Sequence, residues 1–351
     1  MRREPLRGRD DEQALLAEAL DGVANGRGTV AMISGPAGIG KSALAEFVAD
    51  EAGARQFAVI RGRAWEFADA PPYFPVGPAL RELGLDAGYD PNAFALWERV
   101  LGALASTSTP RVWLLEDLHA ADLLTLDLVA FLAQPVRSLP LLIVVTVRDA
   151  DPRIDERVSQ RLARLHREGV DLRLGPLSPA DVAAIAERWQ GRPLGQVERA
   201  RLVERAEGNP LFVREMAQAS RSTQPRRETA VPSTIRKLVQ ERVSRLPEAA
   251  QLALAAGAIV GREFAAGTIA QMLGVLPARA VDDLGPALQA GLVVEARPGV
   301  FVFGHVLERD ALEDGLTATE RARLHGAAEA ALATADSSPS VLVERARHAL
   351  L

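Results

Sequence analysis

The sequence has no cysteine, which excludes disulfides, a thiol nucleophile and cysteine-ligated zinc. A reducing compartment is compatible with that absence. No apolar run reaches the roughly 18 residues of a membrane span, so no membrane partner is expected. The opening Met1-Arg2-Arg3-Glu4-Pro5-Leu6 leads into charged residues without an apolar segment. It does not read as a secretory signal, and a cytoplasmic protein is expected. An excess of positive charge is also missing: 41 basic residues face 46 acidic ones, for a net charge of −5 and a pI near 5.7. That argues against a sequence-independent grip on nucleic acid, while leaving room for a local basic patch. Lysine is nearly absent as well. Of the 41 basic residues only two, Lys41 and Lys237, are lysine.

The placement of the first of these lysines is informative. Gly35-Pro36-Ala37-Gly38-Ile39-Gly40-Lys41-Ser42 fits G-x-x-x-x-G-K-[ST], the phosphate-binding loop. Before it, Thr29-Val30-Ala31-Met32-Ile33 reads as a buried strand; after it, Ser42 to Val48 reads as a helix. Glycines let the backbone curl so that its N–H groups face phosphate oxygens, and the helix N-terminus adds partial positive charge. Lys41 would reach the β- and γ-phosphates and the Ser42 hydroxyl would ligate Mg²⁺. A compact ammonium suits such a cradle where a planar guanidinium does not. The plain alternative is a glycine-rich turn without a ligand.

At 351 residues the chain can hold two or three domains. Residues 11–25 show helical spacing, and Phe57-Ala58-Val59-Ile60-Arg61 reads as a second strand. Prolines 71, 72, 75 and 78 mark an irregular connection, with helical patterns near 77–84 and 92–105. Val112-Trp113-Leu114-Leu115-Glu116-Asp117 is an apolar run ending in two acids. A buried parallel strand is apolar on both faces, and its C-terminal end meets the ligand crevice. One carboxylate there can hold Mg²⁺ and the other can orient or deprotonate a water; two solvated acids, or a helix cap, are the alternative. Asp122 stands before an apolar run as a helix N-cap. Pro140 to Arg148 reads as another buried strand, whose Thr146 or Arg148 would sense a γ-phosphate. For Arg148 the alternative is a surface ion pair. Residues 170–174 read as a fifth strand.

Beyond Pro176 strand signals stop, and helices are expected at 179–190, 195–207 and 210–219, then a polar linker at 223–231. From 232 the pattern gives helices at 233–245, 247–257, 263–273 and 277–290. A hairpin follows, Leu292–Ala296 and Val300–Phe303, turning at Arg297-Pro298-Gly299. Helices followed by a hairpin is the winged-helix arrangement. A helix over 317–334 and a new one from 341 point to the start of a helical array in a longer protein. The fold class expected is α/β: a P-loop NTPase parallel sheet flanked by helices over 1–175. A small helical domain over 176–222, a winged helix over 232–315 and a repeat-like helical region over 316–351 would follow it.

In this order the pieces resemble a STAND-class P-loop ATPase, and more narrowly the N-terminal part of large ATP-binding bacterial regulators of the LuxR family. Gly8-Arg9 with Glu12 matches a G-R-x-x-E segment that lies near the adenine in that family. Gly35 to Ser42 matches Walker A, implying nucleotide contacts by Gly35, Ala37, Gly38, Ile39, Gly40, Lys41 and Ser42. Leu114 to Asp122 resembles the Walker B stretch h-h-[DE]-D-L-H-W-A-D, with Glu116 as its first acid and Ala120 in place of the tryptophan. This implies that Ser42, Glu116 and Asp117 serve Mg²⁺ and that Glu116, Asp117 and Arg148 serve catalysis. Thr146-Val147-Arg148 resembles the sensor-1 strand. Gly208-Asn209-Pro210-Leu211-Phe212 matches a segment whose proline packs on the adenine, and Phe303-Gly304-His305-Val306-Leu307 resembles one whose histidine meets the β-phosphate of ADP. For His305 the other reading is a packed core histidine.

The resemblance implies an ATP/ADP switch with slow hydrolysis, exchanging nucleotide to govern self-association or an effector domain in a longer chain, without DNA contact by this segment. An initiator-type AAA+ ATPase binding DNA through its winged helix is the alternative. A small-molecule kinase would need an acceptor pocket for which no residues argue.

Overall fold

The computed structural model describes residues 6–64, 71–86, 93–149, 151, 154–220 and 231–333. The expected linker, apart from Val231, and the helix expected from 341 lie outside these residues, as does Met1 to Pro5. The chain divides into two compact units, Met1–Asp181 and Val182–Leu351.

In the first unit the order is α1 (Asp10–Ala24), β1 (Thr29–Ser34), α2 (Lys41–Ala54), β2 (Ala58–Arg63), α3 (Gly77–Glu82), α4 (Ala93–Ala105) and β3 (Arg111–Glu116). Then come α5 (Leu123–Leu132), β4 (Leu141–Val147), α6 (Glu156–Glu168) and β5 (Val170–Arg173). All five strands are parallel, in the order β2-β3-β4-β1-β5. Successive strand side chains point to opposite faces, and here both faces are apolar. Val30, Met32, Trp113, Leu115, Ile143 and Val145 join the core under α4, α5 and α6. Ala31, Ile33, Val112, Leu114, Leu142 and Val144 join the core under α1 and α2. This double burial is why the strands read as unbroken apolar runs, and it makes the sheet of a P-loop NTPase α/β fold.

Parallel strands bring their C-terminal ends to one edge. Ser34 of β1 is in register with Val147 of β4, and Arg63 of β2 with Glu116 of β3. The glycine loop, the two acids and Arg148 therefore leave the sheet on the same side. Asp122 caps α5: its carboxylate accepts from the Thr125 N–H at 2.9 Å and from the Thr125 hydroxyl at 2.6 Å. Helix α6 had no counterpart in the sequence reading. Its signal is sparse but regular, with Val158, Leu162 and Leu165 buried on one stripe and Asp155 capping Val158 N–H at 2.8 Å.

The second unit is helical apart from one small sheet. The helix α7 (Pro179–Gln190), which begins at the end of the first unit, is followed by α8 (Gln196–Ala206), α9 (Pro210–Ala219), α10 (Ser233–Ser244) and α11 (Glu248–Val260). Next are β6 (Glu263–Ala265), α12 (Ala266–Leu273), α13 (Pro277–Gln289), β7 (Val293–Arg297), β8 (Val300–Phe303), α14 (Val306–Gly315) and α15 (Ala318–Ala333). The sequence pattern placed a helix over 263–273, but its first three residues are strand. Phe264 sits opposite Phe301 of β8, and its ring stacks 6.1 Å from that of Phe301 and 5.3 Å from that of Phe303. Cross-strand aromatic packing outweighs the local helical preference. The hairpin β7–β8 forms as expected, and β6 completes an antiparallel sheet ordered β6-β8-β7. Helix α14, also unassigned from sequence, packs against α10 and α11.

Candidate functional site

The loop from β1 to α2 is shaped by glycine. Gly35, Gly38 and Gly40 have φ of 144°, 78° and 110°, conformations that a Cβ makes costly. At Gly35 a Cβ would also lie 3.0 Å from the Leu174 carbonyl oxygen. Gly40 is the N-cap of α2, so the loop delivers the chain to a helix N-terminus whose first N–H groups have no intrahelical partner. Ala37 is half-exposed beside them, while the Ile39 side chain is buried in the core under α1 and α2.

Lys41 is buried, and its ammonium donates to the carbonyls of Gly35 at 2.7 Å and Pro36 at 2.8 Å. Burial lowers its pKa to about 8, and the nearby charge of Arg148 adds to that effect. The charged amine is thus held inside the loop's curl by the loop's own carbonyls.

Across the strand ends, the Ser42 hydroxyl donates to Glu116 Oε2 at 2.7 Å. Two oxygen donors from separate motifs, 74 residues apart in sequence, therefore meet at one point. Asp117 follows in a left-handed conformation, φ 54°. Its N–H donates to the Thr146 hydroxyl at 2.9 Å, which anchors that turn to β4. The Asp117 carboxylate faces Arg63, whose Nε and Nη2 donate to Oδ2 at 3.2 and 3.0 Å. Arg148 Nε stands 3.8 Å from Oδ1 of the same carboxylate. Lys41, Ser42, Glu116, Asp117 and Arg148 are thereby brought to one edge of the sheet, with Asp117 turned toward arginines rather than toward Ser42.

Gly8 and Arg9 brace this region from the N-terminal side. Arg9 is buried; its guanidinium donates to the carbonyls of Ile39 at 3.2 Å and Gly175 at 2.7 Å and pairs with Glu12 at 3.3 Å. It ties the phosphate-loop backbone to the segment after β5. At Gly8, φ 68°, a Cβ would fall 2.7 Å from Asp181 Oδ2.

Pro210 and His305 belong to the second unit. Pro210 opens α9 behind Asn209, whose side chain caps Leu211 N–H at 3.0 Å. His305 is buried and uses both ring nitrogens. Nδ1 accepts from Leu307 N–H at 3.1 Å, capping α14, and Nε2 donates to the Ala206 carbonyl at 2.9 Å. Its ring meets Phe212 edge-on, centroids 4.2 Å apart. Burial pushes its pKa below the usual histidine value, with the charge of Arg262 acting in the same direction. The histidine joins the start of α14 to the turn between α8 and α9.

Sequence reasoning assigned no site role to Arg63, His119 or Asp151. Arg63 escaped because the second strand was read as ending at Arg61, two residues before the position that faces Glu116.

Residues 5–145 match a protein-family profile described as an AAA ATPase domain. No curated protein matches the sequence. Among solved structures, the ORC2 protein of Aeropyrum pernix in ADPNP–ADP complexes is 17% identical, covering 94% of this chain and 96% of its own, with a TM-score of 0.54. Cdc6p of Pyrobaculum aerophilum is 14% identical, over 93% of this chain and 96% of its own, with a TM-score of 0.49. The family profile over residues 5–145, the five-stranded parallel sheet and the loop geometry agree on a P-loop NTPase fold for the first unit.

Proposed function

We propose that the chain is a nucleotide-controlled switch, an ATP- and ADP-binding module with slow hydrolysis that serves a bacterial transcriptional regulator of the STAND class. The observation that carries this reading is the meeting of Ser42 and Glu116 at 2.7 Å beside buried Lys41. In this reading Lys41 exchanges the Gly35 and Pro36 carbonyls for phosphate oxygens. The oxygen-only pair of Ser42 and Glu116, with Asp117 next in sequence, fits the donor preference of Mg²⁺. Bound there, the ion would neutralise charge on the phosphates. Asp117 orients the attacking water and accepts its proton, and Arg148 steadies the γ-phosphate. Arg63 and Arg148 already engage the Asp117 carboxylate, and they must yield before it serves as a base, which favours slow turnover. Gly8, Arg9 and Pro210 are proposed to border the base, and His305 to report on ADP.

The regulator assignment rests on the segments Gly208–Phe212 and Phe303–Leu307, and the partners it implies are a second copy or an effector domain. An initiator reading draws support from the fold likeness to the ORC2 protein along most of the chain; the net charge of −5 weighs against it. Glu116→Gln tests the ATPase reading. It is expected to bind ATP while hydrolysis falls on the order of 100-fold; unchanged hydrolysis would remove Glu116 from the site. Salt-dependent binding to duplex DNA by the chain alone would instead favour the initiator.

A further inference from the structure

Two hydrogen bonds, one buried and one partly buried, cross between the ends of β3 and β4. Asp117 N–H donates to the Thr146 hydroxyl at 2.9 Å, and Arg148 N–H donates to His119 Nδ1 at 3.4 Å. Each spans 29 residues of sequence, and they run in opposite senses, one from the β3 side and one from the β4 side. His119 is fully enclosed, 1% exposed. Since its Nδ1 accepts, the ring proton resides on Nε2, which lies 3.3 Å from Asp151 Oδ2. That approach is electrostatic rather than an aligned hydrogen bond. The same Asp151 oxygen stands 3.8 Å from Nη1 of Arg148. One imidazole therefore touches the backbone of Arg148 through one nitrogen and faces, through the other, the carboxylate that the Arg148 guanidinium also faces.

We infer that His119, with Asp151, is a positioning pair that fixes Arg148 at the sheet edge, so that the chain distinguishes ATP from ADP through a preset arginine. The inference rests on Arg148 reading the γ-phosphate, as proposed above. A guanidinium on a flexible stem loses rotamer freedom when it binds a ligand, and fixing it beforehand removes part of that cost. His119 does so at the Arg148 backbone, and Asp151 at its head group. The pair touches no phosphate, so ADP binding through the glycine loop is independent of it.

The test is calorimetric titration of the chain with Mg²⁺ and either ADP or a non-hydrolysable ATP analogue. The quantity read is the ratio of the two affinities. Arg148→Ala examines the underlying reading and is expected to reduce the preference for the ATP analogue by about tenfold, with ADP affinity kept. An unchanged ratio would refute the sensing role itself. His119→Gln lacks an acceptor at the Nδ1 position and is expected to lower the ratio most of the way to that of Arg148→Ala. His119→Asn places an amide oxygen at that position and is expected to restore the ratio. If Arg148→Ala shifts the ratio while His119→Gln and Asp151→Asn leave it at the wild-type value, the positioning pair is overturned. A merely structural histidine would lower the melting temperature in both His119 variants and move the ratio in neither, which would also overturn it. Should His119→Gln fail to fold, Asp151→Asn alone decides by the same ratio.

Discussion

Arg148 in the first unit and His305 in the second are both polar residues expected to read the nucleotide, and they are held in contrasting ways. The Arg148 guanidinium stands 3.8 Å from Asp117 and 3.8 Å from Asp151, on a side chain about one-quarter exposed. Such distances are long for charge-assisted hydrogen bonds, and the two carboxylates aim the guanidinium at the strand end. His305 is buried, with bonds of 2.9 and 3.1 Å from its two nitrogens and a phenylalanine on its ring. To reach a phosphate it must give up a helix cap or leave the Ala206 carbonyl without this donor. The geometry leaves the Arg148 head group aimed at an accessible edge and makes His305 a joint that holds until something stronger opens it.

The sharpest way to break this contrast is His305→Ala. Losing the α14 cap and the donor to Ala206 is expected to destabilise the second unit by about 2 kcal/mol, read as a shift in its urea midpoint. If stability falls and the rate of ADP release is unchanged, His305 is a joint alone; faster ADP release gives it the sensor role as well. A stability change near zero would contradict the joint.

A smaller effect comes from pH at Lys41. Its ammonium titrates at about 8, and phosphate binding needs the charged form, so affinity falls as pH rises through that value. Between pH 7 and pH 9 the chain is expected to lose roughly tenfold in affinity for ADP. A flat profile would show that Lys41 does not pair with phosphate.

The smallest effect is the pH response of His305. Its folded pKa is depressed, chiefly by burial. The stability carried by the neutral ring is present above the ordinary value near 6.5 and is lost as pH falls through the depressed one. Glu207, Arg262 and Asp310 are the charged groups that act on it. The gap in stability between wild type and His305→Ala is therefore expected to narrow from pH 7.5 to pH 5. A widening gap would mean that the ring is held charged.

The two units also differ in how much of them could be read from sequence. In the first, strands buried on both faces write themselves as apolar runs, and the three glycines, Lys41 and the acids at the end of β3 sit at fixed spacing. The central strands and the loop were legible for that reason. Arg63, His119 and Asp151 were not, because their roles come from the register between β2, β3 and β4 and from tertiary approach, which a linear pattern does not encode. The sequence offers Thr146 or Arg148 as the residue that senses a γ-phosphate; that the Thr146 hydroxyl also takes up the Asp117 N–H comes from the strand register and not from the linear pattern. In the second unit the hairpin showed itself through alternation and Pro298-Gly299, but β6 was hidden. Three residues carry too little periodicity, and Phe264 becomes strand only by meeting Phe301 and Phe303. The hydrogen bond from His305 to Ala206 spans 99 residues and leaves no trace in the local sequence.

The most direct test of the central claim is the nucleotide carried by the purified protein. The chain is denatured, the released ADP and ATP are quantified by chromatography, and the measurement is repeated on Lys41→Ala and after incubation with Mg²⁺ and ATP. The account predicts close to one nucleotide per wild-type chain after incubation, with nearly all of it lost in Lys41→Ala. Nucleotide retained equally by both proteins, or none held by either, would contradict it.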